Sequence, residues 1–503
     1  MVKHFLKFSI AVVLIVIATT KVNSQVSVSK TNPHYLFYNN KPLILITSDH
    51  HYGAVIDLDF DYIKYLGYLA DNGMNLTRIY PGGMFEPSDK YLPGNPLGPR
   101  PGRQLLPWLK SGLPGASKML AEPDKPSFKY DLNKWNPEYF ARLKAFVKLA
   151  RDKNIIVEIP FFNGMYADCW PLMAMYHGNN IQNAGPYEAK DCGLFTTINN
   201  QNTDVIKYQK EYIKKIVTEL NDFDNLIYDI CDEPSLQGLP DGNIIIRPDS
   251  LITPWINAMK DAFLQAEGTL SKKHILGQTV QNLSPDLSGE QWCMWLPTEY
   301  VSPAEKALKL DYSRNKPIIN VETNYFGMSL TKSAYSAEAV RLEGWWFILG
   351  GGAGLINLNG EFYRGNESGG KITQTQIVPQ KKILKEFMNS LDLNGLLRFN
   401  DFSVTPAGVL SNGLAEKGKQ YAIYLFHAVP DNEWGSNFVP KPVSSHDTLT
   451  IKNVPAASYS VEWTDPESGA MKGSADLKWE GGDLKLITPV YSLDIALRMI
   501  KKN

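Results

Sequence analysis

Past residue 24 the sequence has no apolar run long enough to form a bilayer-spanning helix, so no membrane span is expected. It lacks an excess of either charge. Its 51 basic and 52 acidic residues leave a net charge of −1, which gives no attraction toward nucleic acid or an anionic membrane surface. Metal-ligand spacing such as His-Glu-x-x-His is missing, and no metal or other cofactor is expected. The glycine run Gly350 to Gly354 follows a helical pattern and precedes a strand, the reverse of a phosphate-cradling order, which reads as close packing. No Gly-x-Ser-x-Gly elbow, internal repeat or low-complexity tract occurs. Cysteine is scarce, with four in 503 residues. Cys169 and Cys192 flank one loop, where a disulfide would close about two dozen residues and add roughly 3 kcal/mol, and that pairing is left open. Cys231 and Cys293 read as buried thiols.

Aromatic rings are plentiful, with 11 Trp and 25 Tyr. Most belong to the core, and the remainder offer flat faces for sugars. Lys3, His4 and Lys7 precede the apolar run Phe8 to Ala18, and Val22-Asn23-Ser24 supplies a small-residue cleavage site. Residues 1–24 therefore read as a secretory signal peptide. No Cys follows to carry a lipid, so the expected location is secreted, periplasmic or at the cell surface.

After Tyr35 to Tyr38 and the turn at Asn39-Asn40-Lys41, strand and helix patterns alternate. Strands are expected at Pro42 to Thr47, Met74 to Tyr80, Ile155 to Phe162, Asn225 to Asp232, His274 to Gln281, the short run Gln291 to Trp295, Pro317 to Glu322 and Gly354 to Leu358. The helices between them are expected from Phe60 to Ala70, Pro137 to Asp152, Asp204 to Leu220, Thr253 to Glu267, Ala304 to Leu310, Ser336 to Leu349 and Val378 to Leu391. Two long loops interrupt the series, one over residues 84–130 and one from the third strand to about Thr203. Eight strand–helix units imply parallel pairing and a closed barrel. From about Leu396 the pattern becomes short alternating strands separated by turn residues, as in an antiparallel sandwich. The fold class is α/β, a TIM (β/α)8 barrel with an N-terminal hairpin and a C-terminal antiparallel β-sandwich, divided as 25–395 and 396–503.

The chemistry concentrates where two apolar strands end in glutamate. Leu226-Ile-Tyr-Asp-Ile-Cys-Asp-Glu-Pro234 delivers Asp232 and Glu233 before a proline that stops the ladder. Pro317-Ile-Ile-Asn-Val-Glu322 does the same for Glu322. Barrel strand ends converge on one face, so the two glutamates can meet there as the pair a retaining glycosidase uses. Arg78 ends the second strand and can keep a nucleophilic glutamate ionised. His50 and His51 end the first strand, and alternation turns only one of them to the cleft. Trp170, Trp295, Asn359 and Glu361 complete the candidate sugar contacts.

These residues resemble glycoside hydrolase clan A, the cellulase-like retaining barrels, through Glu-Pro after the fourth strand, Glu322 after the seventh and Arg78 in Asn75-Leu-Thr-Arg-Ile79. The region 30–395 as a whole resembles secreted bacterial cellulase-like or apiosidase-like hydrolases. Tyr459 to Gly469 is similar to the signature turn of the collagen-binding-type sandwich that follows such barrels. The resemblance implies that Glu233 is the acid/base, Glu322 the nucleophile and a carbohydrate the substrate. Where the clan has asparagine bonding the sugar 2-hydroxyl, this chain has Asp232. The other reading is a non-catalytic carbohydrate- or matrix-binding surface protein built on the same barrel.

Overall fold

The computed structural model describes residues 25–90, 92–115, 127–185, 187–200, 203–278, 287–291, 312–326, 337–369, 376–405, 408–427 and 446–502. The expected signal peptide, Trp295, Cys293 and the helix from Ala304 to Leu310 lie outside them.

Eight strands form one sheet: β1 Leu45–Asp49, β2 Leu76–Arg78, β3 Ile156–Asn163, β4 Leu226–Asp232, β5 Ile275–Gln278, β6 Leu287–Gln291, β7 Ile318–Phe326 and β8 Gly354–Asn359. Their spatial order is β1-β8-β7-β6-β5-β4-β3-β2, every ladder is parallel, and the result is a TIM barrel. The described helices are α1 Tyr62–Asp71, α2 Pro137–Asp152, α3 Thr203–Leu220, α4 Asp249–Gly268, α5 Ala337–Leu349 and α6 Ile377–Asn389.

Local chemistry explains the boundaries. Asp61 caps α1 by accepting from the amides of Ile63 and Lys64, and Gly73 at φ 76° ends it. Asn136 caps α2, with Pro137 pre-set at its first position. Asn39 and Asn40, both at positive φ, make the two-residue turn that pairs Leu36–Tyr38 with Lys41–Leu43.

The seam between β1 and β2 is bridged at Asn75, whose backbone N–H reaches Ile46 O at 3.4 Å and whose side chain adds two further bonds. Asn75 donates to Ile44 O at 2.9 Å and accepts from Ile46 N at 2.9 Å, standing in for a missing peptide group. Alternation then sets the interior in layers. Leu45, Leu76, Ile156, Ile227, Ile275, Ile319 and Ile356 form one apolar cluster with Val26, Leu36 and Tyr38 of the N-terminal hairpin. Two residues further along β2, β3 and β4 stand Arg78, Glu158 and Asp229, all buried.

Beyond the barrel, a six-stranded and a three-stranded sheet follow, both antiparallel. The strand Gln420–His427 is buried on both faces. Its Tyr421, Ile423 and Leu425 enter the core with Leu449, Ile451 and Leu484, while Ala422, Tyr424 and Phe426 pack with Trp345 and Trp346 of α5. Arg341 on α5 makes two bonds of 3.1 Å to Asp494, which also accepts from Tyr424 Oη at 2.9 Å.

The sixth strand is described at Leu287–Gln291, where ladder partners on both sides hold a segment that reads as polar, and the strand expected from Gln291 to Trp295 lies past Gln291 outside the described residues. Two expectations are corrected. The loop read over 84–130 contains Trp108–Pro114, which pairs antiparallel with Phe128–Trp135. Helix α4 begins at Asp249, with Pro254 inside it rather than at its start. Among the described residues no helix is long and apolar enough to cross a membrane.

Candidate active site

The ends of β1, β2, β3, β4 and β7 bring their polar side chains to one rim of the barrel. Arg78 is fully buried and presents its guanidinium to Asp232 in a bidentate pair, Nη1–Oδ2 3.0 Å and Nη2–Oδ1 2.9 Å. Three further carboxylates surround it: Glu158 at 3.4 Å, Glu322 at 3.8 Å and Asp229 at 3.9 Å. The Arg78 Nε–Glu158 contact is not a hydrogen bond, and Glu158 Oε2 has no hydrogen-bond partner among the described residues. Burial therefore outweighs the attraction of Arg78 and pushes the Glu158 carboxyl up to about 8.

Glu322 is 6% exposed and accepts a 2.9 Å hydrogen bond from Tyr52 Oη. Burial raises its pKa well above the usual carboxylate range, and the charges of Asp232 and Glu233 add to that. Arg78 and the Tyr52 hydroxyl oppose the rise. The two glutamates thus stand in each other's field.

Glu233 follows β4 with φ +45°, and its Oε2 accepts from Tyr166 Oη at 2.6 Å. Tyr52 is also left-handed, at φ +42°. Such a conformation costs on the order of 1–3 kcal/mol for a non-glycine residue and collects at working sites. Here it falls on one of the glutamates and on the tyrosine that bonds the other. Gly164 lies under Glu233, where a Cβ would come within 2.1 Å of Glu233 O, so only glycine fits.

The other expected site residues divide. Asp232 is consumed: besides Arg78 it accepts from Tyr80 Oη and from Asn163 Nδ2 at 3.2 Å. It is a strut for Arg78 and not an open acceptor for a sugar hydroxyl, which corrects the role expected from the resemblance. Likewise Arg78 takes Asp232 rather than Glu322 as its closest partner. His50 is fully buried, its Nδ1 on Asp49 at 2.8 Å and its Nε2 accepting from Ala54 N at 3.0 Å, so it holds the turn and cannot meet substrate. His51 points the other way, 3.7 Å from Glu86.

Trp170 is fully buried, stacked on Tyr187 at 4.8 Å with Nε1 on Tyr187 O, a core ring and not a platform. Asn359 bonds Ser48 and the Glu361 amide, shaping the turn after β8. Glu361 is buried there, and its charge acts on Tyr68 of α1. Cys169 and Cys192 are both buried free thiols, and the Cys192 thiol donates to Met165 O at 3.2 Å, so the disulfide left open in the sequence is not formed.

Tyr52, Tyr80, Asn163, Tyr166 and Glu86 were missed. Asn163 had a signal, because it immediately follows the expected third strand, as Asp232 and Glu322 end theirs. Tyr80 had the same signal, as the last residue of the expected second strand; Tyr52 and Tyr166 had none, since they reach the rim from the connections after β1 and β3.

A barrel with a buried acid-rich rim, one glutamate directly after β4 and a second within β7 defines the class. Comparison with known proteins is consistent with it. Residues 110–357, which include Asp232, Glu233 and Glu322 but not Arg78, match the apiosidase-like catalytic domain family. A family 5 glycoside hydrolase from Bacteroides vulgatus superposes with a TM-score of 0.59 at 12% identity, covering 95% of this chain and 94% of that one. Another glycoside hydrolase structure superposes at 0.55 with 13% identity, covering 95% and 97%. At these identities the likeness is one of fold. No curated protein matches the sequence. The matched residues fall within the barrel that these structures share.

Proposed function

We propose that the protein is an exported retaining glycoside hydrolase that cleaves O-glycosidic bonds in a polysaccharide or oligosaccharide. Glu322 attacks the anomeric carbon while Glu233 gives its proton to the departing oxygen. Glu233 then takes a proton from water, whose oxygen displaces Glu322 from the sugar. The observation that carries this reading is the pairing of Glu322, held by Tyr52 and faced by Arg78, with Glu233, held by Tyr166, at one barrel rim. The signal-peptide pattern read in residues 1–24 supports export, and the change to antiparallel sheets after α6 supports a division near residue 395.

The test is turnover of a panel of aryl glycosides, apiosides included, and of polysaccharides. Glu322→Gln should abolish it. Glu233→Ala should lose on the order of 10²–10⁴-fold on poor leaving groups and much less on activated ones. Azide should rescue Glu233→Ala and give a glycosyl azide of retained configuration. Equal losses in both variants that azide cannot rescue would refute the role assignment, and binding without product would show a carbohydrate-binding protein instead.

A further inference from the structure

Glu86 lies in the loop that follows β2, and only about a tenth of its side chain is exposed (11%). Oε2 accepts from Asn95 Nδ2, while Oε1 has no hydrogen-bond donor among the described residues and stands 3.7 Å from His51 Nε2. The loop is rigid. Arg364 bonds Asn95 O at 2.7 Å, Gly98 O at 2.9 Å and Asp57 at 3.0 Å. Gly53 lies so close to Pro96 O that a Cβ would come within 1.9 Å of it. The His51 ring meets Tyr52 edge-on at 5.6 Å, which links this group to the residue that bonds Glu322.

We infer that Glu86, with His51 and Asn95, forms the subsite for a hydroxyl-bearing leaving group, so that the group released is itself a sugar. The inference rests on the hydrolase reading and names the substrate class of the same site. An acid that protonates the departing oxygen must stand on the leaving-group side, and Glu86 lies in the electrostatic field of Glu233. Its other charged neighbours are Asp168 and Lys90, themselves ion-paired. Burial pushes Glu86 up to about 8 and pushes His51 down to about 3. Near neutral pH the pair is thus an uncharged acid beside an uncharged imidazole, offering a donor and an acceptor to hydroxyl groups without an ion's hydration to remove.

The experiment compares two substrates in the full-length enzyme: the 4-nitrophenyl glycoside it cleaves best, and the disaccharide carrying the same sugar on glucose. Glu86→Ala should lower kcat/KM on the disaccharide about 10–100-fold and leave the aryl glycoside within about threefold, since a nitrophenolate makes no use of the lost contact. Glu86→Gln, which mimics the protonated acid, should restore most of the disaccharide activity. Glu86→Met keeps the volume and replaces Glu86→Ala if that variant does not fold. Equal losses on both substrates, no loss on either, or a wild type that cleaves the aryl glycoside alone would overturn the inference and leave the hydrolase reading intact. A wild type inert on both would refute that reading, and this inference with it.

Discussion

Asp232→Asn separates what the sequence suggests for Asp232 from what the geometry assigns to it. The substitution keeps the side chain's size and one acceptor, but it removes a charge and turns an amide N–H toward a guanidinium N–H. One charge-assisted hydrogen bond is lost, worth about 1.5–3 kcal/mol. Arg78 is not stranded, because Glu158, Glu322 and Asp229 remain within 3.9 Å. The stability cost should therefore be about 2–3 kcal/mol, below the roughly 3–5 kcal/mol expected when a buried charge loses every partner. After burial, the charge of Asp232 is the largest cause of the raised pKa of Glu322. Removing it eases ionisation of Glu322. The acidic limb of kcat/KM reports the free-enzyme group that must be deprotonated, so that limb should move to lower pH. Denaturant titration and a pH–rate profile on an aryl glycoside measure both effects. An acidic limb that stays put or moves upward would refute the coupling to Glu322.

Three further perturbations test the frame around the glutamates. Tyr52→Phe removes a hydrogen bond that lowers the pKa of Glu322, so the acidic limb should shift the opposite way, to higher pH, with the fold retained. Gly164→Ala drives a methyl group into Glu233 O and should displace the acid, cutting kcat on poor leaving groups far more than on activated ones; parallel losses on both would show a general distortion instead. Asn75→Ala leaves the Ile44 carbonyl and Ile46 amide unsatisfied at the barrel seam and should cost about 2–5 kcal/mol by denaturant titration, with little change in KM.

How much of this was legible depends on whether a residue's role is local. Both glutamates could be read because an apolar strand that stops at Glu-Pro and one that delivers Glu322 announce themselves by composition, although β7 runs on to Phe326, and the caps of α1 and α2 use residues whose chemistry is short-range. Leu287–Gln291 could not be read, since Ser, Gly, Glu and Gln form a strand only because two neighbours supply the ladder. Pro254 suggested a helix start, yet it sits in the second turn of α4, where it forgoes the one helical bond its missing N–H would make to Ser250 O. Asp232 was misread for a different reason. Its place in the sequence matched a sugar-binding position, but its function depends on Arg78, 154 residues earlier, which takes both of its oxygens. The same holds for His50 and Trp170, whose polar atoms are occupied by partners the motif does not contain.

The charge balance of the barrel interior supplies a reason for Asp232. Around the single guanidinium of Arg78 stand Asp229, Asp232, Glu158 and Glu322, more negative charge than one cation offsets. Glu158 relieves part of the excess by holding its proton up to about pH 8. In a glycosidase the excess is useful: the transition state carries developing positive charge on the sugar ring, and negative groups fixed in a water-poor site stabilise it without reorganising. The same field makes Glu322 harder to ionise in the resting enzyme, which is why a tyrosine at positive φ and a fully buried arginine both face it. An asparagine at 232 would lessen that resting penalty and, with it, the stabilisation of the cationic transition state. For Asp232→Asn the reasoning therefore requires a lower plateau of kcat/KM together with the shifted acidic limb. A variant that gained the shift and lost nothing at the plateau would show that the negative charge has no part in catalysis.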